Sequence, residues 1–275
     1  ISSCGSGKEF NCLSFTPIKT MNEKNQPEKE ISVLGGSTAT ESTNKIQLAT
    51  HLKTTDIPNK ELLDNLGLYL TRQSLSRINF IQTLYKMIVP VHGVVMEFGV
   101  RWGQNMALFS VLRGIHEPFN YNRRIIGFDT FQGFPSVSHE DGDAIKQGDY
   151  SVTTGWKDEL KKILDFHEQN APIAHKKKYE LIEGDATKTL PSFLSEHPET
   201  IIALAYFDFD LYQPTKVCLE AILPHLTKGS ILAFDELNCP EFPGETLAVK
   251  EILGLSRYAI QRDPSNPLMS YLVIE

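Results

Sequence analysis

Apolar residues are spaced in two different ways along this chain, and the change between them marks its parts. Behind a capping residue at Asp56 and a first-turn proline at Pro58, Leu62, Leu63, Leu66 and Leu70 recur at helical spacing. This predicts a helical segment from about Ile57 to about Met87. Five short apolar runs follow, "GVVMEF", "RIIGFD", "YELIEG", "IIALAYFDFD" and "SILAFDE", separated by helix-like stretches. They are rich in Val and Ile without strict alternation, which is the pattern of strands buried on both faces. Strand alternating with helix predicts an α/β fold with a doubly wound, mostly parallel sheet. Near the end, "RYAIQR" and "MSYLVIE" flank the turn-forming "DPSNP", so a closing hairpin is expected to add an antiparallel edge and bring the sheet to seven strands.

Residues 1–55 are rich in Ser, Thr, Asn, Lys and Glu and keep no sustained period. They are expected to form an arm or linker that packs on its own domain or clasps a neighbouring subunit. The chain therefore divides into an arm (1–55), a helical cap region (56–92) and a main domain (93–275). The main domain carries about fifty residues between its second and third runs, far more than a crossover requires. This insertion, about 135–178, includes "EDGDAIKQGDYSVTTGW" and is expected to be a lid, with Tyr150 and Trp156 either stacking on an acceptor or packing the lid down.

Composition narrows the class. The 275 residues are 41% hydrophobic and 22% charged with a net charge of −7, as in a globular protein with no nucleic-acid partner. No apolar run reaches the ~20 residues of a membrane helix. One basic run, "HKKK" from His175 to Lys178, is read as a solvated loop face. Cys4, Cys12, Cys218 and Cys239 form neither a C-x-x-C pair nor a disulfide framework, so a reducing, cytoplasmic location is expected, with Cys218 in helix core. His139 and His167 are expected at the surface. A start at Ile1 rather than methionine leaves three expectations open: a trimmed chain, a processed product or a domain of a larger protein.

Acids close four of the five runs: Glu97, Asp129, Asp208 with Asp210, and Asp235 with Glu236; Asp185 follows the remaining one. In doubly wound sheets, ligands bind beyond these carboxyl ends. The first run continues as "EFGVRWGQNMALFSVL", where Glu97, Gly99 and Gly103 fit E-x-G-x-x-x-G, a strand, a tight turn and a helix with an apolar stripe of Leu108, Val111, Leu112 and Ile115. A dinucleotide fingerprint would need glycine where Glu97 and Trp102 stand, so the pyrophosphate reading fails. A ligand with an amino-acid end, S-adenosylmethionine, suits what remains: Gly99 admits close backbone approach and Glu97 supplies negative charge. Asp129 is placed to accept the ribose hydroxyls. Asp185 either meets the adenine amino group or caps a turn or helix.

"EFGVRWG", "GFDTFQGFP", "GDYSV", "IALAYFDFDLYQPT" and "GSILAFDE", in this order over residues 90–240, resemble the macrocin, mycinamicin and novobiocin-pathway sugar O-methyltransferases. The resemblance implies a Rossmann-like class I methyltransferase fold, S-adenosylmethionine and magnesium as cofactors, and a homo-oligomer that methylates a sugar hydroxyl in natural-product biosynthesis. Carried over by position, Asp208 matches a metal-binding aspartate and Asp210 a proposed general base. Asp235 and Glu236 match an adjacent aspartate pair completing the metal site, with glutamate replacing the second. Phe209 replaces a usual glycine, and "FPGE" at 242–245 departs from the family's loop.

The implied roles agree with physical chemistry. A neutral alcohol is a poor nucleophile, so its proton must be taken and its oxygen held in line. A hard divalent cation assists both, and an all-oxygen donor set favours magnesium or calcium over zinc. With no lysine or arginine read beside the acids, they are expected to need that cation. Two alternatives stand beside this reading: an O-methyltransferase domain acting on a polyketide or other non-sugar hydroxyl, and a noncatalytic cofactor-binding module.

Overall fold

In the computed structural model, which describes residues 37–275, the apolar runs become the strands of one sheet. The expectations for residues 1–36, Cys4 and Cys12 among them, lie outside the described residues. The strands are β1 (Val94–Phe98), β2 (Ile125–Asp129), β3 (Tyr179–Glu183), β4 (Ile202–Phe207), β5 (Leu226–Phe234), β6 (Gln261–Arg262) and β7 (Ser270–Val273). Their order is β3-β2-β1-β4-β5-β7-β6, parallel through β5 and antiparallel for β7 and β6, as the closing hairpin predicts. All six residues of β4 are buried, which explains its unbroken apolar run at the centre of the sheet.

Helices cover both faces. On one side, α3 (Arg72–Ile88), α4 (Gln104–His116) and α5 (Trp156–Gln169) bury Phe80, Leu84, Met106, Phe109, Leu160 and Leu164 against the sheet. On the other, α6 (Ala186–Glu196), α7 (Tyr212–Ile222) and α8 (Pro243–Ile252) bury Leu190, Phe193, Cys218, Leu219 and Val249, so Cys218 is core as expected. On α4 the expected stripe is rotated. Val111 and Ile115 are 42% and 63% exposed, and Met106 and Phe109 lie inside in their place.

The helical region before β1 departs from expectation. The single helix foreseen from Ile57 to Met87 is broken into α2 (Asn59–Leu62), a 3-10 turn at Leu66–Tyr69 and α3. Thr71 resets the chain: its backbone is extended, and its side chain accepts from the Ser74 amide to cap α3. Leu63 is 80% exposed, so the leucine spacing does not mark a buried face. The anchoring stripe is Phe80, Ile81, Leu84, Tyr85 and Ile88, all at 0% exposure. Burial of each such aliphatic or phenyl side chain contributes roughly 1.5–3 kcal/mol.

Part of the expected arm is also helical. α1 (Ala39–Lys53) starts at a reciprocal Thr38–Glu41 capping box and buries none of its residues. The "HKKK" run is not a uniformly solvated face either. Lys178 is 2% exposed and donates to the carbonyls of Ile173 and Lys176 while pairing with Glu168 at 2.8 Å. Among the described residues, no helix is long and apolar enough to cross a membrane.

Candidate active site

The strand order reverses between β1 and β4, and a cleft of about 480 Å³ opens there at the carboxyl ends. Glu97, Gly99, Gly103, Asp129, Asp208, Asp210, Asp235 and Glu236, all singled out in the sequence, line it together.

Gly99 makes the turn after β1 with φ +93°, and a Cβ there would stand 2.0 Å from the Asp208 carbonyl oxygen. The β1 and β4 backbones therefore meet as closely as glycine alone permits. Gly103 precedes α4 at φ +83° and packs against Leu160. Asp129 accepts from the amides of Arg101, at 2.7 Å, and Phe131, fixing the turns on either side of the cleft. Each carboxylate oxygen keeps a second lone pair for a ligand. Burial holds the Asp129 carboxyl above its ordinary range. Glu97 is 1% exposed, and its Oε2 has no hydrogen-bond partner among the described residues. Burial, then Asp208, pushes its proton affinity well up.

Asp185 is elsewhere. Its Oδ1 accepts from the Thr187 amide and hydroxyl at 3.0 and 2.7 Å, capping α6, while Gly184 and Ala186 reach the cleft wall. Of the two uses the sequence left open, the structure shows the helix cap.

Asp208 and Asp210 follow β4. The Asp208 amide still donates to the Phe98 carbonyl at 2.8 Å, prolonging the ladder. Asp210 then adopts φ +61°, a left-handed conformation aspartate tolerates better than most residues, and is 6% exposed. Burial, with Asp208 and Glu236 next, raises its proton affinity well above that of a free aspartate. Asp235 and Glu236 close β5. Burial, then Asp235, pushes both Asp208 and Glu236 up to about 7.

Two site residues escaped sequence reading. Arg77, from α3, donates to both Asp235 oxygens at 2.9 Å and to Asp208 at 2.6 Å. The expectation of acids without a basic neighbour is therefore wrong, because Arg77 supplies one from more than a hundred residues away. It stands three and four positions before Phe80 and Ile81, a cation on the apolar stripe, and that was the available signal. Glu245, from "FPGE", is 0% exposed and accepts from the Glu236 amide at 3.0 Å; its Oε1 has no partner among the described residues.

The insertion borders the cleft. Asp141 accepts from the Tyr212 amide at 2.5 Å and tethers the insertion beside Asp210. Tyr150 packs edge-on to Phe134 with the Arg101 guanidinium 4.6 Å above its ring, and Trp156 packs on Trp102.

The acids suit a hard cation in kind, and the buried Glu236 Oε2 has no partner among the described residues. In arrangement, two of the three proposed ligands face Arg77, and among the described residues no three His, Cys, Asp or Glu side chains are grouped to hold an ion.

The chain and its fold are matched among known proteins. The methyltransferase-domain family model matches residues 96–237, over half of the chain. A crystal structure of the calicheamicin methyltransferase CalS11 is similar at 43% identity and TM-score 0.85, covering 89% of this chain and 96% of that one. An apo structure of CalS11, described as a TDP-rhamnose 3'-O-methyltransferase, matches at 42% identity and TM-score 0.77, with 86% and 95% covered. The O-methyltransferase NovP shares the fold at 18% identity and TM-score 0.55, with 72% and 79% covered. No curated protein sequence matches the chain. The chain belongs to the methyltransferase-domain family, with the class I fold of its O-methyltransferases. It is an enzyme.

Proposed function

We propose that the chain is an S-adenosylmethionine-dependent O-methyltransferase acting on a sugar hydroxyl, with a divalent cation such as magnesium assisting, in natural-product biosynthesis. The observation that carries this reading is the convergence of Asp208, Asp210, Asp235 and Glu236 on the cleft that Gly99 and Asp129 line. The described action of CalS11 on TDP-rhamnose supports a deoxysugar acceptor.

S-Adenosylmethionine suits the cleft residues. The unpartnered Glu97 oxygen can accept from the ammonium of the methionyl end, the Gly99 turn admits that end against backbone, and Asp129 keeps lone pairs for ribose hydroxyls. Asp210 takes the proton from the acceptor hydroxyl as its oxygen bonds to the methyl carbon and the carbon–sulfur bond breaks. A carboxylate of raised proton affinity is a better base for this than a free aspartate. Asp208, Asp235 and Glu236 are not grouped around an ion as they stand, and would have to draw together to hold the cation, which would then lower the hydroxyl pKa and steady the oxygen. The insertion acts as a lid, with Tyr150 and Arg101 forming part of its underside, and closure would exclude water from the transfer.

The same reading carries a small-molecule partner, no nucleic-acid or membrane partner, a cytoplasmic location and homo-oligomeric assembly. Its test is transfer of isotope-labelled methyl from S-adenosylmethionine to a panel of nucleotide deoxysugars, glycosides and sugar-free polyketide hydroxyls. Labelling of a sugar oxygen is expected. Labelling of sugar-free acceptors alone would move the enzyme to the assembly-line alternative.

A further inference from the structure

Arg77 sits in the position the proposed metal ligands would have to share. Its Nη1 donates to both oxygens of Asp235 at 2.9 Å and its Nη2 to Asp208 Oδ2 at 2.6 Å, while Nε lies 3.4 Å from Asn105 Oδ1. The Tyr206 hydroxyl donates to Asp235 Oδ1 at 2.6 Å, so Asp235 already serves two donors. The backbone beneath Arg77 is fixed, because Phe80, Ile81, Leu84, Tyr85 and Ile88 are fully buried and Ser76 is bonded to Ser265 across the fold. The side chain is not sealed in. It is 26% exposed and lines the cleft, so rotation about its own bonds can carry the guanidinium off the acids while α3 stays in place.

Charge supplies the drive. Asp208, Asp210, Asp235 and Glu236 line one cleft, and among the described residues Arg77 is ion-paired with two of them, Asp208 and Asp235; a compact dication balances more of that charge at shorter range. Resting on the metal-assisted reading, we propose that Arg77 and the divalent cation are alternative counter-ions of Asp208 and Asp235. Arg77 holds the two carboxylates together in the metal-free enzyme and yields them by side-chain rotation when the cation loads. Arg77 is thus a positioning residue that preforms the site and sets its metal affinity. An arginine suits the task, since its planar fork bridges two carboxylates and stays charged at every working pH.

The test is titration of the full chain with Mn2+, read as loss of the free-ion electron paramagnetic resonance signal, for wild type, Arg77→Gln and Arg77→Lys. Binding of S-adenosylhomocysteine is measured calorimetrically on the same samples. Removing the rival cation is expected to tighten Mn2+ binding about tenfold or more in Arg77→Gln, with a smaller gain in Arg77→Lys, whose single ammonium bridges poorly. Equal or weaker Mn2+ binding in Arg77→Gln with product affinity intact overturns the proposal. Should Arg77→Gln lose product binding through misfolding, Arg77→Lys decides alone: tighter Mn2+ binding supports the rivalry and unchanged binding overturns it. Absence of Mn2+ binding in every protein also overturns it, leaving the methyltransferase reading intact if the product binds. Failure of the product to bind to wild type sinks that reading separately.

Discussion

Arg77 and Asp235 meet through one terminal nitrogen that donates to both carboxylate oxygens at 2.9 Å, across 158 positions of sequence. This contact joins the helical region before β1 to the acid-bearing end of β5, so α3 is part of the active-site wall. Asp208 and Asp235 are held together by a protein cation, and their chemistry follows from how that charge and their burial are balanced.

Replacement of Asp210 with Asn keeps the size of the side chain and removes the proton acceptor. Methyl transfer is expected to fall about 10²–10⁴-fold. S-Adenosylhomocysteine affinity should stay within a few-fold, as calorimetry would read it. Full activity in Asp210→Asn would remove it as the base.

At Gly99, φ +93° and the 2.0 Å approach of a would-be Cβ to the Asp208 carbonyl leave no room for alanine. Gly99→Ala is expected to destabilise the fold by more than about 1 kcal/mol in urea unfolding and to weaken cofactor binding. Wild-type values for both would show that the turn relaxes freely.

For Asp185 the cap and the adenine contact predict opposite results. As a cap, Asp185→Ala costs about 1 kcal/mol of stability and leaves cofactor affinity near wild type. A tenfold loss of affinity at unchanged stability would return Asp185 to the cofactor site.

Burial lowers the His167 imidazole pKa, with the neighbouring Glu168 opposing more weakly. The unfolded chain then binds the proton more readily than the folded one, so stability is lost as pH falls through about 6.5 and below. His167→Gln is expected to lose less stability than wild type between about pH 7.5 and about pH 5.5. A wild-type-to-variant melting difference that stays constant over this interval would contradict the assignment.

Most of the sheet was legible because buried strands write themselves as unbroken apolar runs, and an acid closing such a run has few places to be except the rim. Glu97, Asp129, Asp208, Asp210, Asp235 and Glu236 were found that way. Arg77 was not, since its partners lie 131 and 158 positions on and no local period points to them. Glu245 acts through the Glu236 amide, a backbone contact that side-chain motifs do not encode. The helix at Ala39–Lys53 buries nothing, so it had no apolar stripe to read; its Thr38–Glu41 capping box was the remaining cue. Asp185 offered two uses at one position, and only the Thr187 hydrogen bonds distinguish them.

The central claim is that the cleft between β1 and β4 binds S-adenosylmethionine for methyl transfer. Calorimetric titration of S-adenosylmethionine and S-adenosylhomocysteine into the full chain tests it most directly. One-to-one binding of both, weakened in Asp129→Ala, is the predicted result. Absence of binding by either ligand to folded wild-type protein would contradict the claim.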